Sequence, residues 1–241
     1  MQSELAPLWN FAARSHVGEV RTNNEDSFVA TSRLLAVADG VGGRPAGEVA
    51  SHLAVSVLKE VFERFGDLEA GIQIAHRAVK EAAASSSLLH TMCSTLTAAA
   101  IDGDKLRIAH VGDTRVYMLR EGKLEAMTED QNVVNKGLAD GTMTKAEAES
   151  HANPRRLVQA VGSQRLEDLD VWFSNVEVRP GDRLLMATDG LEYAGLEAIT
   201  EILKGEADPE RAAESLVAAA RAKGAPDNVT VIVADVADRP S

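Results

Sequence analysis

Two short apolar segments of this chain end in the same Asp-Gly pair, and they constrain its fold more than any other feature. Residues 34–38 precede Asp39-Gly40, and residues 184–188 precede Asp189-Gly190. Each segment has the length and composition of a buried β-strand. A buried strand holds its last residue rigidly, and a following glycine lets a ligand or another backbone approach closely. The pattern therefore predicts two strands that each present a carboxylate at the end of a sheet.

Asp-Gly pairs also favour β-hairpin turns, and the chain contains four of them. Asp102-Gly103 lies between two apolar segments and is interpreted as a turn, whereas Asp140-Gly141 lies in a polar stretch and is interpreted as a loop. The residues that follow Asp39 and Asp189 do not have the pattern of return strands. For these two aspartates, local sequence alone leaves both a turn and a metal site open.

Asp227, between Pro226 and Asn228, is a third candidate ligand. Three carboxylates held at strand ends suit a hard divalent cation. A cation would also supply the local attraction that an anionic substrate needs, because the formal net charge of the chain is −12. The same charge disfavours a nucleic acid or an anionic membrane surface as the main partner.

The composition predicts a globular protein of the cytoplasm. The chain has 241 residues, of which 45% are hydrophobic and 26% are charged, so it can bury a substantial core. Cys93 is the only cysteine, which excludes a disulfide framework and a cysteine-rich zinc site. Residues 1–14 lack the pattern of a signal peptide, and no apolar run approaches the ~18 residues of a membrane span.

Strand-like and helix-like segments follow one another in blocks. Strands are predicted at residues 27–31, 34–38, 94–101, 105–111, 115–119, 123–127, 169–178, 183–188 and 229–235. Helices are predicted at residues 46–65, 69–84, 195–204 and 209–223, and a short one begins at the capping box formed by residues 144 and 147. This order favours packed, mainly antiparallel sheets covered by helices over a parallel βαβ fold.

Three details of this interpretation are specific. The segments 105–111, 115–119 and 123–127 are joined by short turns and predict an antiparallel meander. The polar segment 129–160 is long for a connection, and such segments are often functional. In the first helix, apolar residues recur every four positions and predict the buried stripe. They are Val49, Leu53, Val57, Val61 and Phe65.

Further polar segments carry candidate site residues. Arg21 precedes two adjacent carboxylates, and its guanidinium could bind a phosphate through two parallel hydrogen bonds, although a solvated turn is the alternative. Asp113 ends a strand, either as a site residue or as a turn aspartate paired with Arg115. Arg155-Arg156 either contacts a phosphopeptide or forms a solvated pair.

In their order along the chain, these segments match a known pattern. The matching stretches are residues 18–26 (GEVRTNNED), 38–43 (ADGVGG), 94–99 (STLTAA), 111–115 (VGDTR), 128–130 (TED), 180–182 (PGD), 188–191 (TDGL) and 227–230 (DNVT). With them the chain resembles the compact bacterial form of the metal-dependent serine/threonine protein phosphatases of the PP2C (PPM) family. The resemblance implies an α+β fold, an α-β-β-α sandwich of two mainly antiparallel sheets flanked by helix pairs. It leaves residues 1–14 as an N-terminal extension and residues 15–241 as a single PP2C-like domain.

The resemblance also implies which residues hold metal. Asp39 should bridge two Mn²⁺ or Mg²⁺ ions, and the backbone carbonyl of Gly40 should ligate the first. Asp189 and Asp227 should ligate the second ion. Asp113 and Asp189 match the pair that holds a third, weaker metal in bacterial members.

Four other positions are implied to assist the reaction. Glu25, Asp26 and Asn228 should orient metal-bound waters, and Arg21 matches the arginine that binds the substrate phosphate. The implied reaction is hydrolysis of phosphoserine and phosphothreonine in proteins by a metal-bridged water, without a covalent phosphoenzyme. The partners would be phosphoprotein substrates and a cognate bacterial Ser/Thr kinase, and the protein would act as a monomer.

Two other functions are compatible with a metal-binding chain. A catalytically weak pseudophosphatase would regulate a partner by contact, but such a protein would be expected to have lost at least one aspartate. A two-metal nuclease is disfavoured by the acidic balance and the lack of a basic groove.

The chain departs from the family pattern at two positions that bear on mechanism. Val41 stands where eukaryotic relatives often have a histidine proposed as general acid, so the group that protonates the leaving oxygen is not identified. Gln131 stands where the family usually has a histidine after residues 128–130. Both changes leave the implied metal ligands intact.

Overall fold

The computed structural model of the chain describes residues 9–41 and 46–237. The strands in these residues are β1 (Trp9–His16), β2 (Asp26–Ala30), β3 (Leu35–Asp39), β4 (Leu96–Asp102), β5 (Lys105–Val111), β6 (Arg115–Arg120), β7 (Lys123–Ala126), β8 (Trp172–Glu177), β9 (Arg183–Ala187) and β10 (Val229–Val236). The helices are α1 (Gly47–Phe65), α2 (Leu68–Ala84), α3 (Val133–Ala139), α4 (Lys145–Glu149), α5 (Leu196–Gly205) and α6 (Pro209–Ala222), with a 3₁₀-helix at Asp189–Ala194. Over the same residues, no helix combines the length and the apolar character needed to cross a membrane.

The strands form two antiparallel sheets. Sheet 1 has the order β1-β10-β9-β6-β7, and sheet 2 has the order β2-β3-β4-β5-β8. The predicted meander is therefore wrong at its first turn, because β5 pairs with β4 and β8 whereas β6 pairs with β7 and β9. A short turn between two apolar strands has the same local sequence whether it closes a hairpin or carries the chain from one sheet to the other.

Three apolar layers hold the sandwich together. Side chains such as Leu35 and Ile108 of sheet 2 and Met186 and Ile232 of sheet 1 fill the space between the sheets. α1 and α2 cover the outer face of sheet 2, and α5 and α6 cover the outer face of sheet 1. Each large apolar side chain that is fully buried contributes about 2 kcal/mol to folding. The predicted sandwich with helix pairs on both outer faces is confirmed.

The buried face of α1 differs from the predicted stripe. Val49 is 40% exposed and Phe65 is 66% exposed, whereas Leu58 is fully buried. A step of four residues advances about 40° beyond a full helical turn, so a stripe built only on that spacing drifts around the helix. The buried face is instead formed by Gly47, Ala50, Ser51, Ala54, Val55, Leu58, Val61 and Phe62.

Part of the segment predicted as an N-terminal extension, residues 1–14, belongs to a strand. Trp9–His16 form β1, which pairs along its whole length with β10. Trp9 is 1% exposed, and its Nε1 donates a hydrogen bond to the backbone oxygen of Thr31 at 2.7 Å. No residue of β1 is β-branched and its burial does not alternate regularly, so the sequence carries only a weak strand signal. Residues 1–8 lie outside the described part of the chain, and the assignment of a single domain stays a prediction.

The long polar segment 129–160 contains two short helices. α4 begins at the predicted capping box, in which Thr144 and Glu147 exchange hydrogen bonds. α3 was not predicted, because only seven residues form it and its cap, Asn132, is a common residue in turns. The Asn132 side chain accepts hydrogen bonds from the backbone N–H groups of residues 134 and 135.

The two Asp-Gly pairs at the sheet ends owe their glycines to close backbone packing. A Cβ at Gly40 would lie 2.3 Å from the backbone oxygen of Gly47, and a Cβ at Gly190 would lie 1.9 Å from that of Asn228. No side chain fits at either position. The close approach that these glycines predict is confirmed, and it brings the start of β10 against the end of β9.

Replacing Gly190 by alanine should therefore lower the free energy of unfolding by about 2–4 kcal/mol, because the backbone of Asn228 must move. Gly205, the last residue of α5, has no atom within 4 Å of a Cβ and provides the control. Gly205→Ala should be neutral or stabilise by up to about 1 kcal/mol. Urea unfolding of both variants measures the difference, and equal stabilities would contradict the packing described here.

Candidate metal centre

Four aspartates from separate segments meet at one end of the sandwich. Asp39 ends β3, Asp113 lies in the turn between β5 and β6, Asp189 follows β9, and Asp227 precedes β10. The start of β10 lies beside the end of β9 because these strands are antiparallel. All four carboxylates line one cavity of about 760 Å³, together with Arg21. The structure thus brings together the four aspartates and the arginine that the sequence predicts.

Hydrogen bonds position Asp39 from the neighbouring strand. Its backbone N–H donates to Thr95 Oγ1 at 2.8 Å. Its backbone oxygen accepts from Ser94 Oγ and from the backbone N–H of Thr95, each at 2.8 Å. The segment 94–99 therefore fixes the direction in which the carboxylate leaves the sheet.

Asp26 connects the two sheets beneath the cavity. It lies opposite Asp39 in the β2–β3 pair, and its Oδ2 accepts a hydrogen bond from Thr188 Oγ1 of the other sheet at 2.9 Å. This bond joins Thr188, the residue before Asp189, to β2, which pairs with the strand that ends in Asp39.

Asn228 anchors the loop that carries Arg21. Its Oδ1 accepts from the backbone N–H of Glu25 at 2.8 Å, and its Nδ2 donates to the backbone oxygens of Val17 and Asn23 at 2.9 Å. The side-chain amide of Asn228 is thus hydrogen-bonded to backbone groups of residues 17, 23 and 25, and it holds this loop in place. The predicted action of Asn228 on metal-bound waters stays a prediction.

Burial and mutual repulsion disfavour the ionised form of the aspartates in this cluster. Burial raises the pKa of Asp26 and of Asp113 to about 7, and that of Asp189 to about 6. Burial also raises the pKa of Asp39 well above its ordinary value, and repulsion from the neighbouring aspartates adds to the rise. Bound cations would compensate the negative charge of such a cluster and favour its full ionisation at neutral pH.

The donor set fits divalent cations. Oδ1 of Asp26 and Oδ1 of Asp189 are buried and have no hydrogen-bond partner among the described residues, so each can accept a further cationic or donor group. Carboxylate oxygens are the ligands of hard cations such as Mg²⁺. Within residues 9–41 and 46–237, no group of three or more histidine, cysteine, aspartate or glutamate side chains is arranged to hold one ion as it stands.

Arginines compensate part of the negative charge. Arg21 Nη2 contacts Asp227 Oδ2 at 2.8 Å, and this hydrogen bond raises the pKa of Arg21. Arg155 Nη1 lies 3.3 Å from Asp189 Oδ2, and its Nη2 lies 2.7 Å from Glu192 Oε2. Of the two alternatives left open for Arg155-Arg156, a plain solvated pair does not describe Arg155, because it reaches the cluster.

Several predicted and unpredicted residues surround this lining. Gly40 and Glu25 do not line the cavity, so their predicted roles stay predictions. Glu192 is a residue that the sequence analysis missed. It binds both Arg155 and Arg115, and Arg115 in turn holds Asp130 with two hydrogen bonds of 2.6 and 2.7 Å. No local pattern marks Glu192, since only the fold brings its partners together.

Residues 38–43, the second stretch that matches the family pattern, are only partly described by the structure. Its last two residues, Gly42 and Gly43, lie outside the described residues. Val41 lines the cavity, in the position where eukaryotic relatives often have a histidine.

The chain is similar to known proteins of one family. The sequence model of the family described as "Protein phosphatase 2C" matches residues 14–230. The serine/threonine protein phosphatase PstP of Mycobacterium tuberculosis is 42% identical over 95% of this chain, and the chain spans 45% of the length of that relative. The serine/threonine phosphatase stp of Listeria innocua is 31% identical over 92% of this chain and 94% of its own length.

A solved structure shows the same fold. The catalytic domain of PstP in complex with two manganese ions superposes with a TM-score of 0.81 at 38% identity. The match covers 95% of this chain and 99% of that one.

The raised pKa values predict how the metal-free protein responds to pH. The unfolded carboxyls titrate near 3.8 and the folded ones near 6–7, so the stabilisation from their protonation is complete below about pH 4. It is lost as the pH rises through 6 to 7. We therefore expect the Tm in EDTA to fall between pH 6 and 8, and Mn²⁺ or Mg²⁺ to restore it at pH 8.

The window from pH 6 to 8 avoids an opposing effect. Burial lowers the pKa of His110 to about 4, so its contribution is present above about pH 6.5 and is lost as the pH falls through 4. Asp113→Asn should flatten the fall in Tm, whereas Asp102→Asn, at an exposed Asp-Gly pair, should not. A Tm in EDTA that is constant or rises from pH 6 to 8 would contradict the raised pKa values of the clustered aspartates.

Proposed function

Because this chain belongs to the protein phosphatase 2C family, we propose that it is a metal-dependent protein phosphatase that hydrolyses phosphoserine and phosphothreonine. The observation that carries the proposal is the cavity in which four carboxylates and Arg21 meet. The names of the relatives from M. tuberculosis and L. innocua support the serine/threonine specificity.

Residues Asp39, Asp113, Asp189 and Asp227 would hold the metal, which is Mn²⁺ or Mg²⁺. The manganese ions in the PstP structure support this choice, and so do the buried, partly unpartnered carboxylates of this chain. When bound, the ions supply Lewis acidity and a water of lowered pKa. The protein's part is to hold the carboxylates at the ends of the sheets.

Arg21 would bind the phosphate of the substrate. Its guanidinium lines the cavity beside Asp227, and its fork of donors matches the oxygens of a phosphoryl group. The hydrogen bonds of Asn228 to the loop of residues 17–25 keep this arginine at the rim. Phosphate would have to compete with Asp227 for the guanidinium.

The carboxylates behind the residues that line the cavity would act by orienting water molecules. Asp26 is fixed by Thr188 and keeps its Oδ1 unpartnered, so it has an acceptor to offer a water. Glu25 lies next to it, and we assign it a similar role on the matched position. A hydrogen bond from a fixed carboxylate orients a water without taking part in covalent chemistry.

We further propose that the protein reverses a Ser/Thr kinase in a bacterial cytoplasm. The cognate kinase, the cytoplasmic location and a monomeric state rest on the resemblance to the bacterial members of the family.

A phosphothreonine peptide and p-nitrophenyl phosphate, with Mn²⁺, with Mg²⁺ and with EDTA, test the proposal directly. We expect hydrolysis that requires metal. Asp189→Asn should reduce kcat/KM about 100-fold or more, because one carboxylate serves two implied metal positions. Its fold should persist, since removing a charge from the cluster relieves repulsion.

Asp102→Asn is the matched control, because Asp102 also precedes a glycine but lies outside the cavity. It should keep the wild-type rate. A near-wild-type rate for Asp189→Asn would overturn the site assignment, and folded wild-type protein without turnover in either metal would favour a scaffold that regulates a partner by contact.

A further inference from the structure

The cavity extends well beyond the carboxylate cluster. Its wall continues over residues 90–93 and 155–166, and its volume of about 760 Å³ is that of a pocket for a whole ligand rather than for one phosphoryl group. The acidic side chains in the described lining are the four aspartates of the cluster. The basic ones are Arg21, Arg155, Arg156 and Arg165.

These arginines fall into two pairs. Arg21 and Arg155 form ion pairs with the aspartates of the cluster. Arg156 and Arg165 are exposed, and neither forms an ion pair within the described residues. They leave positive charge without an ion-pair partner in the lining of the cavity.

The acidic residues next to Arg165 are engaged elsewhere. Glu167 lies 3.6 Å from Lys80, and Asp168 lies 3.9 Å from Arg77, both on α2. Neither acid forms an ion pair with Arg165 among the described residues. The chain has 37 acidic and 25 basic residues. Two arginines without an ion pair in one cavity therefore depart from its overall negative charge.

Resting on the phosphatase function proposed above, we propose that this protein selects phosphorylated segments that carry further negative charge beside the phosphorylated residue, and that Arg156 and Arg165 bind that charge. The metal end of the cavity takes the phosphoryl group. The neighbouring residues of an extended substrate then lie along residues 155–166. A guanidinium binds either a carboxylate or a second phosphate through two parallel hydrogen bonds.

Three phosphothreonine peptides of equal length test this selection. One has neutral flanks, one has aspartate or glutamate on both sides, and one has a second phosphothreonine. We expect kcat/KM for at least one of the charged peptides to exceed that for the neutral peptide about fivefold or more, mainly through KM. The advantage should shrink as NaCl increases from 50 to ~500 mM, because salt screens exposed charges.

The variants Arg156→Gln/Arg165→Gln and Arg156→Glu/Arg165→Glu assign the effect to these side chains. The ratio of kcat/KM for charged and neutral peptides should fall to about one in the first and below one in the second. Taking the ratio removes any change common to both substrates. Arg33→Gln is the matched control, because Arg33 is exposed and unpaired among the described residues but lies outside the cavity. It should leave the ratio unchanged.

The outcomes separate the sources of charge and the two proposals. A gain on the carboxylate peptide alone assigns acidic flanking sequences, and a gain on the doubly phosphorylated peptide alone assigns multiply phosphorylated segments. Equal rates on all three peptides, with metal-dependent turnover intact, would overturn the selection and leave the phosphatase function standing. A charge preference that persists in the Arg156/Arg165 variants would overturn the role of these arginines. No turnover of any peptide in either metal would overturn both proposals.

Discussion

Several like-charged carboxylates are buried together at one end of the sandwich, and the surrounding structure must compensate their mutual repulsion. Asp26 and Asp39 face each other across two strands, and Asp189 contributes repulsion to both. In the absence of cations this arrangement favours protonation, as the raised pKa values show. The apolar layers on both sides of each sheet supply the stability that keeps the charges together.

Both sheets are needed to bring the carboxylates of the cluster together. Sheet 2 supplies Asp39, and sheet 1 places Asp189 and Asp227 at adjacent strand ends. The hydrogen bond from Thr188 to Asp26 and the contact of Gly190 with Asn228 hold those ends in register. Around the rim, Arg115 and Arg155 both bind Glu192 and so tie the two ends of segment 129–160 to the site.

Much of this could be predicted from the sequence, and the failures have physical causes. The Asp-Gly pairs indicated strand ends with close backbone contacts because only glycine satisfies that requirement, and Gly40 and Gly190 confirm it. The partners of β5 and β6 could not be predicted, since local sequence does not say which sheet a strand joins. The buried face of α1 was misplaced because a regular four-residue spacing is not the period of a helix. Arg155 was ambiguous because its partners, Asp189 and Glu192, are more than thirty residues away along the chain.

We propose that the carboxylate cluster holds divalent cations. Anomalous diffraction from crystals grown with Mn²⁺ at pH 7.5 tests this assignment, because it locates the ions independently of any activity. We expect manganese peaks in the cavity between Asp39, Asp189 and Asp227, with Arg155 or Arg21 displaced from the carboxylates they contact. A cavity without manganese at millimolar Mn²⁺, with both arginine contacts retained, would contradict it.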